Sequence, residues 1–378
     1  MGYLKQQICI MESSGSVSHI QPYPASMTVS STDPEANQWR EIGLKAIQQG
    51  KVAIITLSGG QGTRLGSPLP KALYDIGLPS HKTLIQLHAD RIKNLHTSYT
   101  HGIRWYIMTS TFTEKEIQEK LSRHYSFGIR VKTFNQANDA STTLDGTSIT
   151  GTASPNGNGD VFSSFPYIEE LKVSGIEYIF ICSIDNVLCK VADPVFLGYC
   201  IQNKLECAAK VVTKKNKDER MGSICLKNGK PEVIEYTEIP DHLKSKLLDG
   251  NICIHMMSTE FFEKVSKVEL PYHEARKKIS LQDGTQVEGI KKEKFIFDVF
   301  PYAHRFGIMR VPRDEEFSPL KNATGEDSPQ SCRRDLLNLY RKWLRRAGFD
   351  VYDCEDIEIP GTMSYAGEGL EKFFPTVV

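Results

Sequence analysis

The residues best suited to chemistry lie in a glycine-rich stretch, residues 57–66, which is followed by Pro70 and Lys71. Backbone N–H groups can close around phosphate oxygens where no Cβ blocks their approach. Such backbone is offered by Gly59, Gly60 and Gly62. Arg64 adds a planar fork of donors, and Lys71 adds a point charge that can reach an α-phosphate. These residue types predict a binding site for a nucleoside triphosphate.

Two familiar phosphate-binding loops do not fit this stretch. A Walker A loop, GxxxxGK[ST], requires a Lys-Ser or Lys-Thr pair that does not follow Gly59 at the necessary spacing. A dinucleotide fingerprint, GxGxxG, requires its last glycine one residue before Gly66. An ordinary flexible turn remains the alternative, but the glycines together with Arg64 and Lys71 favour a nucleotide-binding loop.

The loop follows an apolar run, residues 52–57, that is typical of a parallel strand buried on both faces. Further strand-like and helix-like segments alternate along the chain. The predicted strands cover residues 103–108, 176–184, 208–212 and 233–236, and the predicted helices cover residues 84–96, 113–125, 194–204, 293–304 and 328–346. This alternation predicts an α/β fold with a doubly wound, mixed and mainly parallel sheet, which is Rossmann-like. Ligands of such sheets bind beyond the carboxyl ends of the strands.

The chain divides into a short N-terminal part, one large domain and a small C-terminal part. Residues 11–32 are rich in serine and predict a loose arm. Asp33 and Pro34 are typical of the N-cap and first position of a helix, which Gly50 would end. We therefore expect an N-terminal arm and helix over residues 1–50, a catalytic domain over 51–322 and a reduced C-terminal appendage over 323–378.

Composition argues against several classes of protein. The chain has 46 basic and 46 acidic side chains, so it offers no electrostatic reason to expect nucleic acid or an anionic membrane as a partner. No apolar run approaches the roughly 18–20 residues of a membrane span. The nine cysteines include no CxxC pair, which favours reduced thiols. We expect a cytoplasmic monomer.

The loop with Pro70-Lys71 resembles the signature of the nucleotidyltransferases that make sugar nucleotides. Many further segments, in order, are similar to one branch of them, the eukaryotic UDP-N-acetylhexosamine pyrophosphorylases. These segments include Lys82-Thr-Leu-Ile-Gln-Leu-His-Ala-Asp-Arg-Ile92, Asp185-Asn-Val-Leu188, Ala209-Lys-Val-Val212, Glu293-Lys-Phe-Ile-Phe-Asp-Val-Phe300 and Glu315-Glu-Phe-Ser-Pro-Leu-Lys-Asn322. The resemblance covers roughly residues 37–348 and the end of the chain.

The resemblance implies an enzyme that converts UTP and N-acetylglucosamine 1-phosphate to UDP-N-acetylglucosamine and pyrophosphate. The sugar-phosphate oxygen would attack the α-phosphorus of UTP in line, with Mg²⁺ assisting and no covalent intermediate. Because two anions must meet, cationic stabilisation and positioning should dominate the catalysis. The catalytic residues that the resemblance implies are Arg64, Lys71 and Lys321.

The same resemblance implies a nucleotide site. Uracil would be bound by Gln136 and the Gly157-Asn158 turn, whose amides supply a donor and an acceptor. Asp185, at the end of a predicted strand, would anchor Mg²⁺ against the triphosphate. The implied nucleotide-binding residues are Leu57, Ser58, Gly59, Gly60, Lys71, Gln136, Gly157, Asp185 and Lys291. Without the resemblance, the glycine–asparagine run would also be typical of a tight turn, and Asp185 would be typical of a residue that caps a turn.

The sugar phosphate would be bound by Asn158, Glu235, Tyr236, Asn251 and Lys321, again by resemblance. Lys291 or Lys321 alone would be an ordinary solvated charge. Lys321 gives the stronger indication of a functional cation, because it ends an apolar turn that starts at Phe317 and is fixed by a proline.

Three departures from the family pattern leave alternatives open. Where relatives usually show Asn-Ala-Gly-Asn, this chain has Leu248-Asp-Gly-Asn251, so an acid stands beside the implied sugar site. Asp160 follows the glycine–asparagine turn in place of a common glycine, and only a short segment separates Phe349 from Ser364-Tyr-Ala-Gly367. The alternatives are a pyrophosphorylase for UDP-glucose, UDP-N-acetylgalactosamine or several UDP-sugars, and, in another class, a non-catalytic UDP-sugar-binding protein.

Overall fold

The computed structural model describes residues 9–11, 17–95, 102–281, 285–352 and 356–372. Its strands, in chain order, are β1 (Cys9–Met11), β2 (Val17–Pro22), β3 (Thr28–Ser30), β4 (Val52–Leu57), β5 (Arg104–Thr109), β6 (Arg130–Asn135), β7 (Asn138–Thr142), β8 (Ser148–Pro155), β9 (Tyr178–Ser183), β10 (Cys207–Thr213), β11 (Ser223–Lys227), β12 (Lys230–Ile234), β13 (Asp249–Ser258), β14 (His273–Ser280), β15 (Gln286–Glu293) and β16 (Phe306–Arg310). Its α-helices are α1 (Ala36–Gln48), α2 (Leu84–Leu95), α3 (Glu114–Arg123), α4 (Val161–Ser164), α5 (Ile168–Val173), α6 (Pro194–Gln202), α7 (Asp241–Lys244), α8 (Thr259–Val265), α9 (Arg313–Glu316) and α10 (Pro329–Arg346).

The centre of the large sheet is parallel. β4 lies between β9 and β5, and β6 extends the sheet beyond β5, with all four strands running in the same direction. β13 lies antiparallel to both β9 and β10 and thereby joins the two halves of the sheet. This arrangement confirms the predicted doubly wound, mixed and mainly parallel α/β fold. The carboxyl ends of β4, β5, β6 and β9 consequently meet at one edge.

Both faces of the large sheet are covered, as the solid apolar run of β4 predicts. Val52 and Ile54 join a core formed with α1, α2, α6 and α10. Ala53, Ile55 and Leu57 join a second core, formed with α4, α5 and α8. Since successive side chains of a strand point to opposite faces, these two cores lie on opposite sides of the sheet.

A second sheet, which the sequence did not predict, consists of β14, β15, β7 and β8 in that order. Its strands are polar: β14 reads HEARKKIS, without the alternation of apolar and polar residues that identifies a half-buried strand. Hydrogen bonding between β14 and β15, over eight residue pairs, holds this hairpin together instead. β15 carries Lys291 to the edge where the parallel strands end.

The segment expected to be a loose arm is paired with the large sheet over residues 17–22 and 28–30, while its residues 12–16 lie outside the described part of the chain. β2 lies antiparallel to β11, and β3 lies parallel to β16. Edge strands leave N–H and C=O groups unpaired, and these two short strands satisfy part of them. The sequence left open whether this arm packs on the domain, and its described residues do so, because a sheet edge offers hydrogen bonds that serine content does not express.

Helix α1 begins later than predicted. Asp33 does not cap it; the Asp33 carboxylate accepts a hydrogen bond from the Ser30 N–H at 2.8 Å and so closes the preceding turn. The helix starts at Ala36 and packs on α6 through Trp39, whose ring centroid lies 5.4 Å from that of Tyr199.

Residues 293–304 do not form the predicted α-helix. β15 extends to Glu293, and a 3-10 helix, Ile296–Tyr302, follows it. Pro301 lies inside that segment. Because proline lacks an N–H and disfavours the α conformation in the residue before it, an apolar run is not sufficient for an α-helix here.

The C-terminal helix lies where the sequence predicts it. The hydroxyl of Ser328 caps α10 by accepting a hydrogen bond from the Ser331 N–H at 3.3 Å. The predicted apolar face is buried: Leu336, Leu337, Tyr340, Trp343 and Leu344. These side chains join the same core as α1 and α2, so α10 packs directly on the large domain. The domain boundaries at residues 50 and 322 stay predictions.

A buried ion cluster ties α6 and α9 to the sheet. Lys210 of β10 is fully buried; its ammonium lies 2.5 Å from Asp193 and also contacts Glu316. Burial lowers the pKa of Lys210, but the two carboxylates outweigh burial and raise that pKa above its ordinary value. Burial raises the pKa of Asp193, but the charges of Lys210 and Lys190 bring it below its ordinary value. Lys210 and Asp193 are therefore both charged at neutral pH.

Removing the cation should be costly, because it leaves two carboxylates buried without their partner. We expect Lys210→Ala to lower the free energy of unfolding by about 3–5 kcal/mol in urea denaturation. Lys215→Ala is the control, since Lys215 and its partner Glu326 are both exposed and such a pair contributes about 0–1 kcal/mol. Equal losses in the two variants would contradict the importance of the buried cluster.

Candidate active site

A cavity of about 410 Å³ lies at the carboxyl ends of the parallel strands, where a doubly wound sheet binds its ligands. Its lining combines the glycine-rich loop with residues that follow β6, β8 and β9 and with two residues of β15. The predicted site residues that line it are Leu57, Gly59, Gly60, Arg64, Lys71, Gln136, Gly157, Asn158, Asp185, Lys291 and Lys321. The fold thus brings together residues that are far apart in the sequence.

The glycine-rich loop folds back on itself after β4. A Cβ on Gly62 would lie 2.5 Å from the carbonyl oxygen of Leu69, so glycine is required there. The Lys71 N–H donates to the carbonyl oxygen of Gly60 at 3.2 Å, which closes the loop. Arg64 is exposed on the loop and lines the cavity.

Gln136 links the glycine-rich loop to the turn at residues 155–158. Its side chain is 5% exposed, and its amide oxygen accepts a hydrogen bond from the Gly157 N–H at 3.1 Å. A Cβ on Gly59 would lie only 1.8 Å from the Gln136 amide nitrogen. Gly157 has a φ of +93°, and a Cβ there would lie 2.6 Å from the carbonyl oxygen of Lys294. Glycine at both positions therefore permits the contact between the two loops.

Asn158 and Asn251 each have their side-chain oxygen bound by a backbone N–H. Asn158 Oδ1 accepts from Ile296 at 2.9 Å, and Asn251 Oδ1 accepts from Cys253 at 3.2 Å. Cys253 lies at a bulge in β13 with a φ of +55°, and its sulfur is 3.8 Å from Asn158 Nδ2. Each amide nitrogen carries two N–H donors that can serve a ligand, although one of those on Asn158 already donates to the Cys253 sulfur.

Asp185 follows β9 and lies between two cations. Its side chain is 20% exposed, and its carboxylate lies 3.4 Å from the Lys71 ammonium. Burial raises the pKa of Asp185, but the charges of Lys71 and Lys321 outweigh burial and hold it below its ordinary value. Asp185 is therefore an ionised carboxylate at neutral pH, with part of its surface open to the cavity.

The two predicted phosphate-site lysines differ in how free their charges are. Lys291 Nζ lies 2.6 Å from a carboxylate oxygen of Glu293, which partly neutralises it. Lys321 is 42% exposed, and the carboxylate of Asp327 lies 4.0 Å from its Nζ. The charge of Lys321 is consequently the more available to an anion in the cavity.

Some predicted residues do not line this cavity: Ser58, Glu235, Tyr236 and Asn251. Ser58 is 1% exposed and lies beneath the loop. Burial and the charge of Glu238 raise the pKa of Glu235, and the charges of His273, Lys214 and Lys321 act in the opposite direction. Tyr236 lines a separate cavity of about 180 Å³. Their roles stay predictions.

Asp249 and Asp160, the two acidic residues that depart from the family pattern, have carboxylates that accept hydrogen bonds from other residues of the protein. Asp249 Oδ1 accepts two hydrogen bonds from the Arg310 guanidinium, at 2.8 and 3.0 Å. Asp160 is 2% exposed and accepts from the Ala137 N–H at 2.6 Å and the Ser163 hydroxyl at 2.8 Å. Neither carboxylate is part of the cavity lining, so neither adds a free negative charge to it.

Sequence analysis missed several residues of the lining: Gln61, Thr63, Leu65, Met108, Pro155, Ser183, Ile184, Glu293 and Phe295. Glu293 and Phe295 begin a segment that carries the family resemblance, so a signal was present but no role was attached to it. Met108 lies near the carboxyl end of β5, where the rule for doubly wound sheets could have placed it.

A mainly parallel, doubly wound sheet with a glycine-rich, cation-bearing loop at its carboxyl edge defines an α/β protein of the nucleotidyltransferase class. The family model described as UTP–glucose-1-phosphate uridylyltransferase matches residues 6–338. The chain belongs to this family.

Named relatives cover most of the chain. The UDP-N-acetylglucosamine pyrophosphorylase of Saccharomyces cerevisiae is 38% identical in an alignment that covers 94% of this chain and 83% of the yeast protein. The human UDP-N-acetylhexosamine pyrophosphorylase-like protein 1 is 37% identical in an alignment that covers 91% of this chain and 79% of the human protein.

Solved structures share the fold. The UDP-N-acetylglucosamine pyrophosphorylase of Trypanosoma brucei, solved with an inhibitor, superposes with a TM-score of 0.85 at 31% identity and covers 94% of this chain and 82% of that one. A mutant UDP-glucose pyrophosphorylase of Leishmania major superposes with a TM-score of 0.65 at 16% identity, covering 79% and 67%. The second comparison shows a common fold alone.

The contact between Gly59 and Gln136 leads to a stability test. Gly59→Ala must displace the Gln136 amide and break its hydrogen bond to Gly157, so we expect the free energy of unfolding to fall by about 1 kcal/mol. In a Gln136→Ala background the same substitution should cost clearly less, because the obstructing amide is gone.

Urea denaturation of the single and double variants measures this coupling. Gly60→Ala is the matched control, since its added Cβ would meet no protein atom within 4 Å. An equal cost of Gly59→Ala in both backgrounds would show that Gln136 is not what the new Cβ meets.

Proposed function

We propose that this protein is a uridylyltransferase that converts UTP and N-acetylglucosamine 1-phosphate to UDP-N-acetylglucosamine and pyrophosphate. The observation that carries the proposal is the meeting of Lys71, Asp185 and Lys321 beside the glycine-rich loop. The yeast relative, at 38% identity, is named for this activity, which supports the choice of substrates.

UTP would enter with its base against Gln136 and its phosphates along the glycine-rich loop. Because the Gln136 oxygen is occupied by Gly157, its amide nitrogen is the group that would donate to a uracil carbonyl. Around Gly60 no protein atom lies within 4 Å of the position of a Cβ, which leaves room for phosphate beside the backbone. The loop N–H groups would then point at phosphate oxygens.

Asp185 suits a magnesium ion that also binds the triphosphate. Mg²⁺ prefers carboxylate and phosphate oxygens and keeps several waters, so a single protein carboxylate is a sufficient anchor. In the described part of the chain, no three His, Cys, Asp or Glu side chains are grouped to hold a metal by themselves. The ion, when bound, would neutralise charge on the phosphates, and Asp185 would be the residue that holds it.

The chain's own cations would bring two anions together. Lys71 would hold the α-phosphate, and Lys321 would hold the attacking phosphate of the sugar. Arg64 would bind the leaving pyrophosphate through its planar guanidinium. A sugar-phosphate oxygen forms a bond to the α-phosphorus while the bond to the β-phosphate oxygen breaks, so no covalent enzyme intermediate is needed. Charges placed in advance stabilise the transition state.

The sugar itself would be recognised by Asn158, Asn251 and Glu235, which offer two amide donors and a carboxylate acceptor. Asp249 does not oppose this assignment, because Arg310 binds its carboxylate. An N-acetyl group bound beside Asn251 would therefore not face a free carboxylate from Asp249.

Pyrophosphate release from UTP and Mg²⁺ tests the proposal. N-acetylglucosamine 1-phosphate and glucose 1-phosphate are compared in parallel, and we expect kcat/KM to favour the N-acetyl sugar by at least about 10-fold. A preference for glucose 1-phosphate would assign the protein to UDP-glucose synthesis instead. Binding of a UDP-sugar without pyrophosphate release would make it a non-catalytic binding protein.

Lys71→Met tests the cation at the α-phosphate. Methionine keeps an unbranched side chain but removes the charge, so we expect kcat to fall by about 10²–10³-fold while the circular dichroism spectrum is retained. Lys93→Met is the matched control, because Lys93 is exposed on α2 and away from the cavity lining. Near-normal turnover of Lys71→Met would refute the role of Lys71.

A further inference from the structure

Asn186, the residue after Asp185, makes three hydrogen bonds with its side chain and is 2% exposed. Its amide nitrogen donates to the carbonyl oxygen of Glu316 at 2.7 Å. Its amide oxygen accepts from the N–H groups of Ser318 at 3.0 Å and Leu188 at 3.3 Å. A primary amide can do this because it carries a donor and an acceptor side by side.

Main-chain hydrogen bonds extend these contacts on both sides. The Val187 N–H donates to the Ser318 carbonyl at 3.1 Å, and the Leu320 N–H donates to the Asp185 carbonyl at 2.8 Å. Lys321 is the next residue. The hydrogen bonds between these two segments therefore help to set the position of Lys321 relative to Asp185, together with the hydrogen bond that the Lys321 N–H donates to the Asp327 carbonyl oxygen at 2.7 Å.

We call residues 185–188 and 316–320, with the hydrogen bonds between them, the Asn186 junction. Its far end is anchored, because Glu316 is fully buried and its carboxylate contacts Lys210. Asn186 and Pro319 also pair as an isolated antiparallel bridge. The junction thus connects a fixed point in the core to two charged residues at the cavity.

We propose that Asn186 is a positioning residue that holds Asp185 and Lys321 at the separation the reaction requires. The inference rests on the proposed function, in which Asp185 faces the metal side of UTP and Lys321 faces the attacking phosphate. Lys321 is 42% exposed on a flexible side chain, so its placement depends on its backbone. A displacement of about 1 Å at a reacting group can cost about 10²-fold in rate.

A purely structural role for Asn186 is the competing explanation. Without its amide, the Glu316 carbonyl and the Ser318 N–H lose buried partners, so stability should fall under either explanation. The two explanations differ in how the loss of Asn186 combines with the loss of Lys321. Residues that act through one another show non-additive effects.

A double-mutant cycle on kcat/KM separates the explanations. Wild type, Asn186→Ala, Lys321→Ala and the double variant are assayed with UTP, Mg²⁺ and N-acetylglucosamine 1-phosphate. We expect Asn186→Ala to lower kcat/KM by about 10²-fold in the wild-type background. In the Lys321→Ala background, Asn186→Ala should lower kcat/KM by at most about 10-fold, because only its effect through Asp185 remains. Equal fold losses in both backgrounds would overturn the inference.

Thr259→Val is the matched control for the cycle. The Thr259 hydroxyl is buried and donates to the carbonyl oxygen of Ile176 at 2.7 Å, so its loss also removes a buried hydrogen bond to the main chain. Its effect on kcat/KM should be the same with and without Lys321. An Asn186→Ala protein that fails to fold would overturn the inference, because Asn186 would then be required for the fold in general.

Hydrogen exchange gives a readout that does not depend on turnover. In folded Asn186→Ala, amide exchange should rise about 5–10-fold in peptides covering residues 183–190 and 314–322, with no change in β4. Unchanged exchange in both peptides would refute the junction even if turnover falls. A wild-type protein that releases no pyrophosphate would instead refute the proposed function, while the exchange result would still report on the junction.

Discussion

Lys210 connects the scaffold of this protein to its cavity. The ammonium binds Asp193, which is the N-cap of α6, and Glu316, which precedes the turn that ends in Lys321. An unpaired charge in the interior is so costly that these groups must stay together in the folded state. The packing of α6 on the sheet and the start of the turn that ends in Lys321 therefore both depend on the fully buried ammonium group of Lys210.

The cavity gathers several cations in a chain that has no net charge. Its 46 basic and 46 acidic side chains cancel overall, yet Arg64, Lys71 and Lys321 line one cavity. Asp185 lies among them, and the charges of Lys71 and Lys321 outweigh its burial and hold its pKa below the ordinary value. A carboxylate held this way can share a cation with phosphate oxygens, whereas Asp249, bound by Arg310, adds no free charge to the lining.

Sequence reasoning succeeded where the signal is local. All six residues of β4, five of them apolar, are buried, and the predicted stripe on α10 is buried as well, because strand and helix periodicities appear directly in the order of residues. It failed where pairing decides the structure. The polar strand β14, the N-terminal strands β2 and β3, and the break at Pro301 all depend on partners or backbone limits that local hydrophobicity does not express.

By itself, the sequence determined the fold class and the kinds of group available for chemistry: a glycine-rich loop that leaves backbone N–H groups open, with Arg64 and Lys71 beside it. Tertiary structure alone decided which charges meet. It brought Lys71 within 3.4 Å of Asp185, although the two residues are 114 positions apart in the sequence, and it paired Asp249 with Arg310. The physical reason is that charges act through distance and burial, and neither quantity is encoded in the local order of residues.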